Sequence, residues 1–506
     1  MTSARVSFRE PLLEDGADLC RQEIGQDGEV HSNSNAASSG GGCNDEEPNG
    51  GEVRLNYATA TLAATIIGAG IMALPRAFAT LGLLLGGLLL AFIFFLAVFS
   101  LAALIKAARS AGCWTYDDLA KSQFGNLGSA SLQAAILLNN SGSMIIYLII
   151  IGDVLCGVAP NYSGLITNLF GIHDPETVIW VSRPFVMAML CVFGLGPLIS
   201  LRNLKLLAPM SSAAVIIAAL FVVSVAGLAV IAGFENRLGD FHWFPNEDVL
   251  GQSPWRIAIN ILAILPVITM SFVCHYNLLP VARNLQRFTE RRILMVIRRA
   301  LTICTILFTT VAGGGVLLFG TATQDNILVN LTPEAVSNYI PQAPAVALCF
   351  FIRAGYSVCL MVSFTVQSTT RCCIKMSYII FIIRLILFGV INVQSTFAML
   401  NWALRETVSK TLFNVEMLDG IGFFVLSWSI LAVEYVISVL FPSVWVAMSL
   451  TGATAAVFVA YILPGALIIK VAGGTRVDRV LGIVCVVMGV VMGCVGVFDT
   501  LVPKKD

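Results

Sequence analysis

The chain has 506 residues, 57% of them hydrophobic and 12% charged, with a mean hydropathy of +0.85. A soluble domain carries roughly 25% charged residues, so the composition excludes one and calls for an apolar solvent around much of the chain. Thirty Lys and Arg balance thirty Asp and Glu, which removes any bulk attraction to nucleic acid.

Charge is uneven along the chain. Residues 1–53 carry Glu10, Glu14, Asp15, Asp18, Glu23, Asp27, Glu29, Asp45, Glu46, Glu47 and Glu52 against Arg5, Arg9 and Arg21. With residues 32–42 rich in Ser, Asn and Gly, this acidic cytosolic tail cannot bury a core and is expected to be disordered. It has no apolar stretch of signal-peptide type, so the first spanning helix is expected to direct insertion. Stretches near the roughly 20 apolar residues that cross a bilayer then fall at 56–78, 82–106, 129–157, 178–200, 206–232, 256–279, 300–321, 343–366, 421–440, 443–469 and 480–501. The expectation is therefore an all-α multi-pass membrane protein with eleven transmembrane helices over 54–501, followed by a short tail at 502–506.

The loops orient it. With the N-terminus inside, the inward loops hold Lys106, Arg109 and Lys121, then Arg202 and Lys205, then Arg283, Arg287, Arg291, Arg292, Arg298 and Arg299. Arg371, Lys375, Arg405 and Lys410 follow, and finally Lys470, Arg476 and Arg479, whereas the outward loops hold little beyond Arg237 and Arg256. This is the positive-inside pattern. Two sequons, at Asn161 and Asn330, fall in predicted outward loops. Tyr378–Val393 is also apolar, but Arg384 interrupts it, and a twelfth span there would place Lys470, Arg476 and Arg479 outside. It is read as non-spanning.

Span one contains Thr65-Ile-Ile-Gly-Ala-Gly-Ile-Met-Ala-Leu-Pro75. A lipid-facing helix must satisfy its own backbone, and Gly68, Gly70 and Pro75 weaken that ladder where broken backbone is tolerated beside a polar cavity. A close helix contact through glycine is the other reading. In span three, Asn139, Asn140, Ser141 and Gly142 form a polar island, either a hydrogen-bonded helix contact or cavity lining. Span six holds Pro266-Val-Ile-Thr-Met-Ser-Phe-Val-Cys-His275. Spans one and six correspond if the first ten form two five-helix halves, and matched interrupted segments point to a transporter site. Half-helix N-termini suit a carboxylate, and free carbonyls suit an ammonium or a cation.

His275 is the histidine within a span, a structural hydrogen-bonding residue or a proton-linked group. Arg353 in span eight and Glu434 in span nine could pair or snorkel. Of thirteen cysteines most lie in apolar segments, as buried small hydrophobes, and no spacing suits a metal. Neither GxSxG, HExxH nor a P-loop occurs. An enzyme is not expected, nor is a cofactor.

Three motifs in order, Thr65–Phe78 (TIIGAGIMALPRAF), Phe272–Leu285 (FVCHYNLLPVARNL) and Phe441–Pro464 (FPSVWVAMSLTGATAAVFVAYILP), resemble the amino acid/auxin permease family. The chain is most similar to the branch holding the sodium-coupled neutral amino acid transporters and the plant vacuolar amino acid transporters. The resemblance implies an inverted five-plus-five repeat with broken helices one and six, and secondary transport of amino acids. The solute is expected between the two breaks, at Thr65, Ile67, Gly68, Ala69, Gly70, Ile71, Thr269, Ser271 and Phe272. No charged side chain stands in that set, which favours neutral amino acids.

Two departures bear on mechanism. Sodium-coupled relatives carry an Asn four residues before the first Gly of the G-x-G motif, where this chain has Ala64; Ser363 and Thr365 match the family's other sodium-ligand region and could form a cation site. The coupling ion is therefore expected to be H+ rather than Na+, or transport to be facilitative. Such a carrier suits a vacuolar or lysosomal membrane, with the plasma membrane as alternative. Glu10-Pro-Leu-Leu13 has the dileucine of an endosomal sorting signal without its usual acidic residue. The second departure is 366–396, an atypical insertion that a retained intron or gene-model error explains as well as a genuine loop does. An amino acid sensor signalling through its tail is the rival from another class; a channel is disfavoured because no rings of charged residues line the spans.

Overall fold

A computed structural model describes residues 53–68, 70–159, 162–172, 178–195, 210–245, 253–360, 421–471 and 475–501. The acidic tail, Ala69, Asn161, Ser363, Thr365, Cys372, Cys373, Arg384 and the stretch 366–396 lie outside the described residues.

The regular structure among the described residues is helical, apart from one isolated bridge between Val53 and Leu285. The elements are α1 (Leu55–Ile66), α2 (Gly70–Leu81), α3 (Leu83–Ala111), α4 (Tyr116–Cys156), α5 (Arg183–Met189) and α6 (Met210–Phe234). They continue with α7 (Pro254–Ser271), α8 (His275–Arg283), α9 (Glu290–Phe319), α10 (Gln342–Leu360), α11 (Ile421–Leu440), α12 (Val444–Thr451), α13 (Leu463–Lys470) and α14 (Arg476–Leu501). Among the described residues six helices are long and apolar enough to cross a bilayer, seven if the bent pair α1 and α2 is one span. Shorter apolar helices at 183–193, 218–234, 342–355 and 425–440 occupy the places of predicted segments four, five, eight and nine.

Local chemistry sets the helix ends. Thr115 caps α4 by accepting from the Asp118 amide, Thr289 caps α9 and Ser443 caps α12 in the same way. At its far end α3 stops on Gly112 in the left-handed region, φ 65°. The 41 residues of α4 are about twice what a bilayer needs, and the helix is interrupted at Gly125 (φ 67°). The turns before it form a separate leg, so the spanning part begins close to the predicted residue 129.

Helix α9 packs against α1, α2, α3 and α6, while α7 packs against α2, α12 and α14. Between α12 and α13 the helix widens into two π-helical stretches, Gly452–Ala456 and Phe458–Ile462, a distortion frequent at functional positions. Gly452 lies against the bend at Pro266, where an added Cβ would come 2.7 Å from the Pro266 carbonyl carbon.

Both ends of the helix assembly are tied. At the basic end, Val53 exchanges backbone hydrogen bonds with the stretch after α8 (Val53 N to Asn284 O 3.0 Å, Gln286 N to Val53 O 2.9 Å). Lys106 pairs with Asp478 at 2.9 Å, Arg109 with Glu290 at 3.1 Å, and Lys470 bonds the Gln123 carbonyl. At the opposite end Asp153 of α4 sits 2.7 Å from Arg183 of α5, off the hydrogen-bond axis. Asn326 donates to the other Asp153 oxygen (3.4 Å), Ser443 donates to Asp325 (2.9 Å), and Arg76 of α2 bonds the Thr323 carbonyl (2.9 Å) and lies 3.9 Å from Asp325. This network joins α2, α4, α5, α12 and the loop after α9.

Seven described cysteines are free, six of them buried, but Cys113 is disulfide-bonded. Cys113 follows Gly112 outside the apolar segments, where the argument from burial in a span does not reach.

Candidate functional site

The first broken segment opens at two glycines, and the second at Phe272-Val-Cys274, just after Thr269 and Ser271. Helices α1 and α2 meet at 62° across residues 67–69. Pro75, one turn after the glycines, lies inside α2, and Pro266 likewise lies inside α7, before the interruption at 272–274. Each break leaves carbonyls at the C-terminus of one half-helix and amides at the N-terminus of the next without intrahelical partners. Negative and positive partial charge thus face each other at one depth.

A buried cavity of about 30 Å³ lies between the breaks, lined by Thr65, Gly68, Gly70, Asn139, Tyr147 and Ser271 among others. That is room for a water or two, far below the roughly 300 Å³ at the small end of ligand pockets. The site is closed, and α2 presses directly on α7. A Cβ added at Gly70 would lie 2.7 Å from the Ser271 Cα. Gly70 is needed for this approach, not for an unusual φ.

Of the predicted solute residues, Thr65, Gly68, Gly70 and Ser271 line the cavity and Ile67, Ile71, Thr269 and Phe272 do not. Ile67 and Ile71 are buried in the apolar core. Thr269 is fully buried and faces the Tyr461 phenol of the π-helical stretch. Phe272 turns away to meet Phe308 of α9 edge-on, centroids 5.3 Å apart. Phe272→Ala is therefore expected to lower stability by about 3 kcal/mol while leaving the order of preference among amino acids unchanged. Detergent unfolding and competition uptake measure the two; a changed preference order would return Phe272 to the site.

His275 is fully buried at the start of α8, with Nε2 2.7 Å from Ser100 Oγ and no partner at Nδ1. It does not line the cavity. Arg353 is buried and reaches the Val154 carbonyl (3.4 Å), while neither oxygen of buried Glu434 has a hydrogen-bond partner; the Arg353–Glu434 pairing considered from sequence is not formed. Asn139 is on the cavity wall, and Asn140 is not.

Sequence reasoning missed Tyr147, Ser143 and Tyr276, and the apolar wall residues Ile66, Ile146, Met270, Val273 and Met448. A signal existed: Asn139, Ser143 and Tyr147 recur at i, i+4 and i+8, one polar stripe on α4.

The sequence profile of the family described as "Transmembrane amino acid transporter protein" matches residues 54–502. The chain belongs to this family. The transporter is 29% identical over 471 residues to amino acid transporter AVT6B of Arabidopsis thaliana, covering 92% of each chain. Vacuolar amino acid transporter 5 of Schizosaccharomyces pombe is 25% identical over 408 residues, covering 80% of this chain and 82% of that one. A Danio rerio relative named provisionally as sodium-coupled neutral amino acid transporter 11 is 22% identical over 459 residues, 90% and 88% of the two chains. In fold, a crystal structure of the Eremococcus coleocola manganese transporter superposes with a TM-score of 0.51 at 12% identity, over 88% of this transporter and 86% of the other. The family and its relatives are transporters, so this chain is a membrane transporter and not an enzyme.

Proposed function

We propose that the chain is a secondary active transporter that moves neutral amino acids by alternating access, binding them between the α1–α2 and α7–α8 breaks. The observation that carries this reading is the buried cavity where α2 begins and α7 ends, walled by Thr65, Gly68, Gly70 and Ser271 with no charged side chain. A zwitterion matches the two kinds of exposed backbone there: carboxylate on the α2 amides, ammonium on the α1 carbonyls. The reading includes eleven spans over 54–501, the first ten as an inverted five-plus-five repeat, a cytosolic tail at 1–53 and an insertion at 366–396.

For coupling we favour a proton gradient or none. Ala64, in the last turn of α1, offers a methyl group where a sodium ligand would need oxygen, and the His275 imidazole, hydrogen-bonded to Ser100, is the histidine beside the second break. The name of the fission yeast relative favours a vacuolar or lysosomal membrane. The name of the fish relative keeps the sodium symporter as the second reading. Flux of labelled L-alanine, L-leucine and L-glutamine into proteoliposomes, with pH and sodium gradients imposed separately, tests all of it. Flux that follows the pH gradient and ignores sodium is expected. Strict sodium dependence would sink the coupling assignment, and no flux of any of the three would sink the transport reading.

A further inference from the structure

We propose that Asn139 is a specificity-determining residue: its side-chain oxygen accepts one hydrogen of the substrate ammonium and restricts the site to primary α-amines. The inference rests on the amino acid reading above and goes beyond it by giving a side chain of α4 a role in choosing the substrate.

The polar side chains on the cavity wall are rich in acceptors. Thr65 Oγ1 donates to the Leu62 carbonyl at 2.7 Å, Ser143 Oγ to the Asn139 carbonyl at 2.8 Å and Ser271 Oγ to the Val267 carbonyl at 3.2 Å. Each of these protons is directed into its own helix, so lone pairs are what these hydroxyls have left for the cavity. Asn139 stands out among them. It is 2% exposed, it lines the cavity, and its Oδ1 has no hydrogen-bond partner. Its side chain lies beside Tyr276, another residue of the cavity wall.

A buried, unpartnered acceptor is expensive until a donor arrives. A primary ammonium brings three N–H donors. The C-terminal carbonyls of α1 can take two, and Asn139 Oδ1, on the facing helix, takes the third. N-methylation removes one donor and adds bulk on that side. A hydrogen bond to a charged group is worth tenfold or more in binding, roughly, so this single contact is enough to separate primary from secondary amines.

The test compares L-alanine with N-methyl-L-alanine, by competition for uptake in proteoliposomes and by thermal stabilisation of purified full-length protein. Wild type should prefer L-alanine. Asn139→Ala should raise the L-alanine KM by about tenfold and the N-methyl KM by less than about twofold, collapsing the preference. Asn139→Asp keeps an oxygen in the same place and should retain the preference to within about threefold. Should Asn139→Ala be inactive in uptake, the loss of differential stabilisation by the two ligands carries the same information. Equal effects on both ligands, or a fall in maximal rate with the preference intact, would overturn the assignment to Asn139. A wild type that moves L-alanine without preferring it would also overturn it while leaving the transport reading in place. Absence of wild-type flux of any amino acid would remove both.

Discussion

Gly70→Val is expected to reduce amino acid flux by about ten- to a hundredfold while leaving the protein inserted in the membrane. The first side-chain carbon would lie 2.7 Å from the Cα of Ser271, and a backbone atom cannot swing aside as the end of a side chain can. Overpacking of a rigid contact costs about 1–3 kcal/mol, and each 1.4 kcal/mol is about tenfold in an equilibrium. The penalty falls on the closed arrangement that α2 and α7 form here, so cycling through it is what the mutant loses. Gly70→Ala combined with Ser271→Gly removes the Oγ and Cβ neighbours but not the Cα, and should recover only part of what Gly70→Ala alone loses. Uptake in proteoliposomes, normalised to inserted protein, measures both. Full flux in Gly70→Val would show that the two breaks need not approach this closely.

The second large effect is expected at the network around Asp153. Asp153 and Arg183 lie 2.7 Å apart with side chains only 5% and 22% exposed. Taking away one partner of a buried pair strands the other charge and costs about 3–5 kcal/mol. Asp153→Ala and Arg183→Ala should each lower thermal stability by that order. The double variant should lose less than the sum by at least about 1 kcal/mol, because groups in contact do not act independently. Simple additivity in the unfolding of all three variants would mean that the ion pair does not hold these helices together. Since Asn326 joins Asp153 to the loop that also carries Asp325, and Arg76 reaches the same loop from α2, the single variants should also perturb transport. Double-mutant cycles on KM separate that from stability.

The helix breaks could be read from the chain because their causes are local. Two glycines in three residues, and a proline and two hydroxyls in the apolar stretch before His275, were the local marks of the breaks. The positions were legible but the agents were not: Pro75 and Pro266 sit within helices, and the chain parts at 67–69 and 272–274. Of the eight expected solute residues that are described, four line the cavity. Knowing that a segment is broken does not say which way Phe272 turns, and it turns to Phe308, a residue 36 positions later that only packing brings near.

The sequence alone determined that this protein lives in a bilayer, which segments are apolar enough to lie there, which end is basic, and the family to which it belongs. Those properties are sums over composition and short motifs, and need no knowledge of neighbours. Tertiary structure decided the rotation of each helix, and with it the cavity wall of Asn139, Ser143, Tyr147 and Tyr276 and the pairing of Asp153 with Arg183. The physical reason is the solvent. In water, an apolar stripe tells a helix which face to bury; among lipid chains as apolar as leucine, both faces of a helix such as α6 are apolar and the sequence pattern no longer distinguishes inside from outside. Close packing at glycines and the matching of buried polar groups make that choice, and both depend on which helices come to lie side by side.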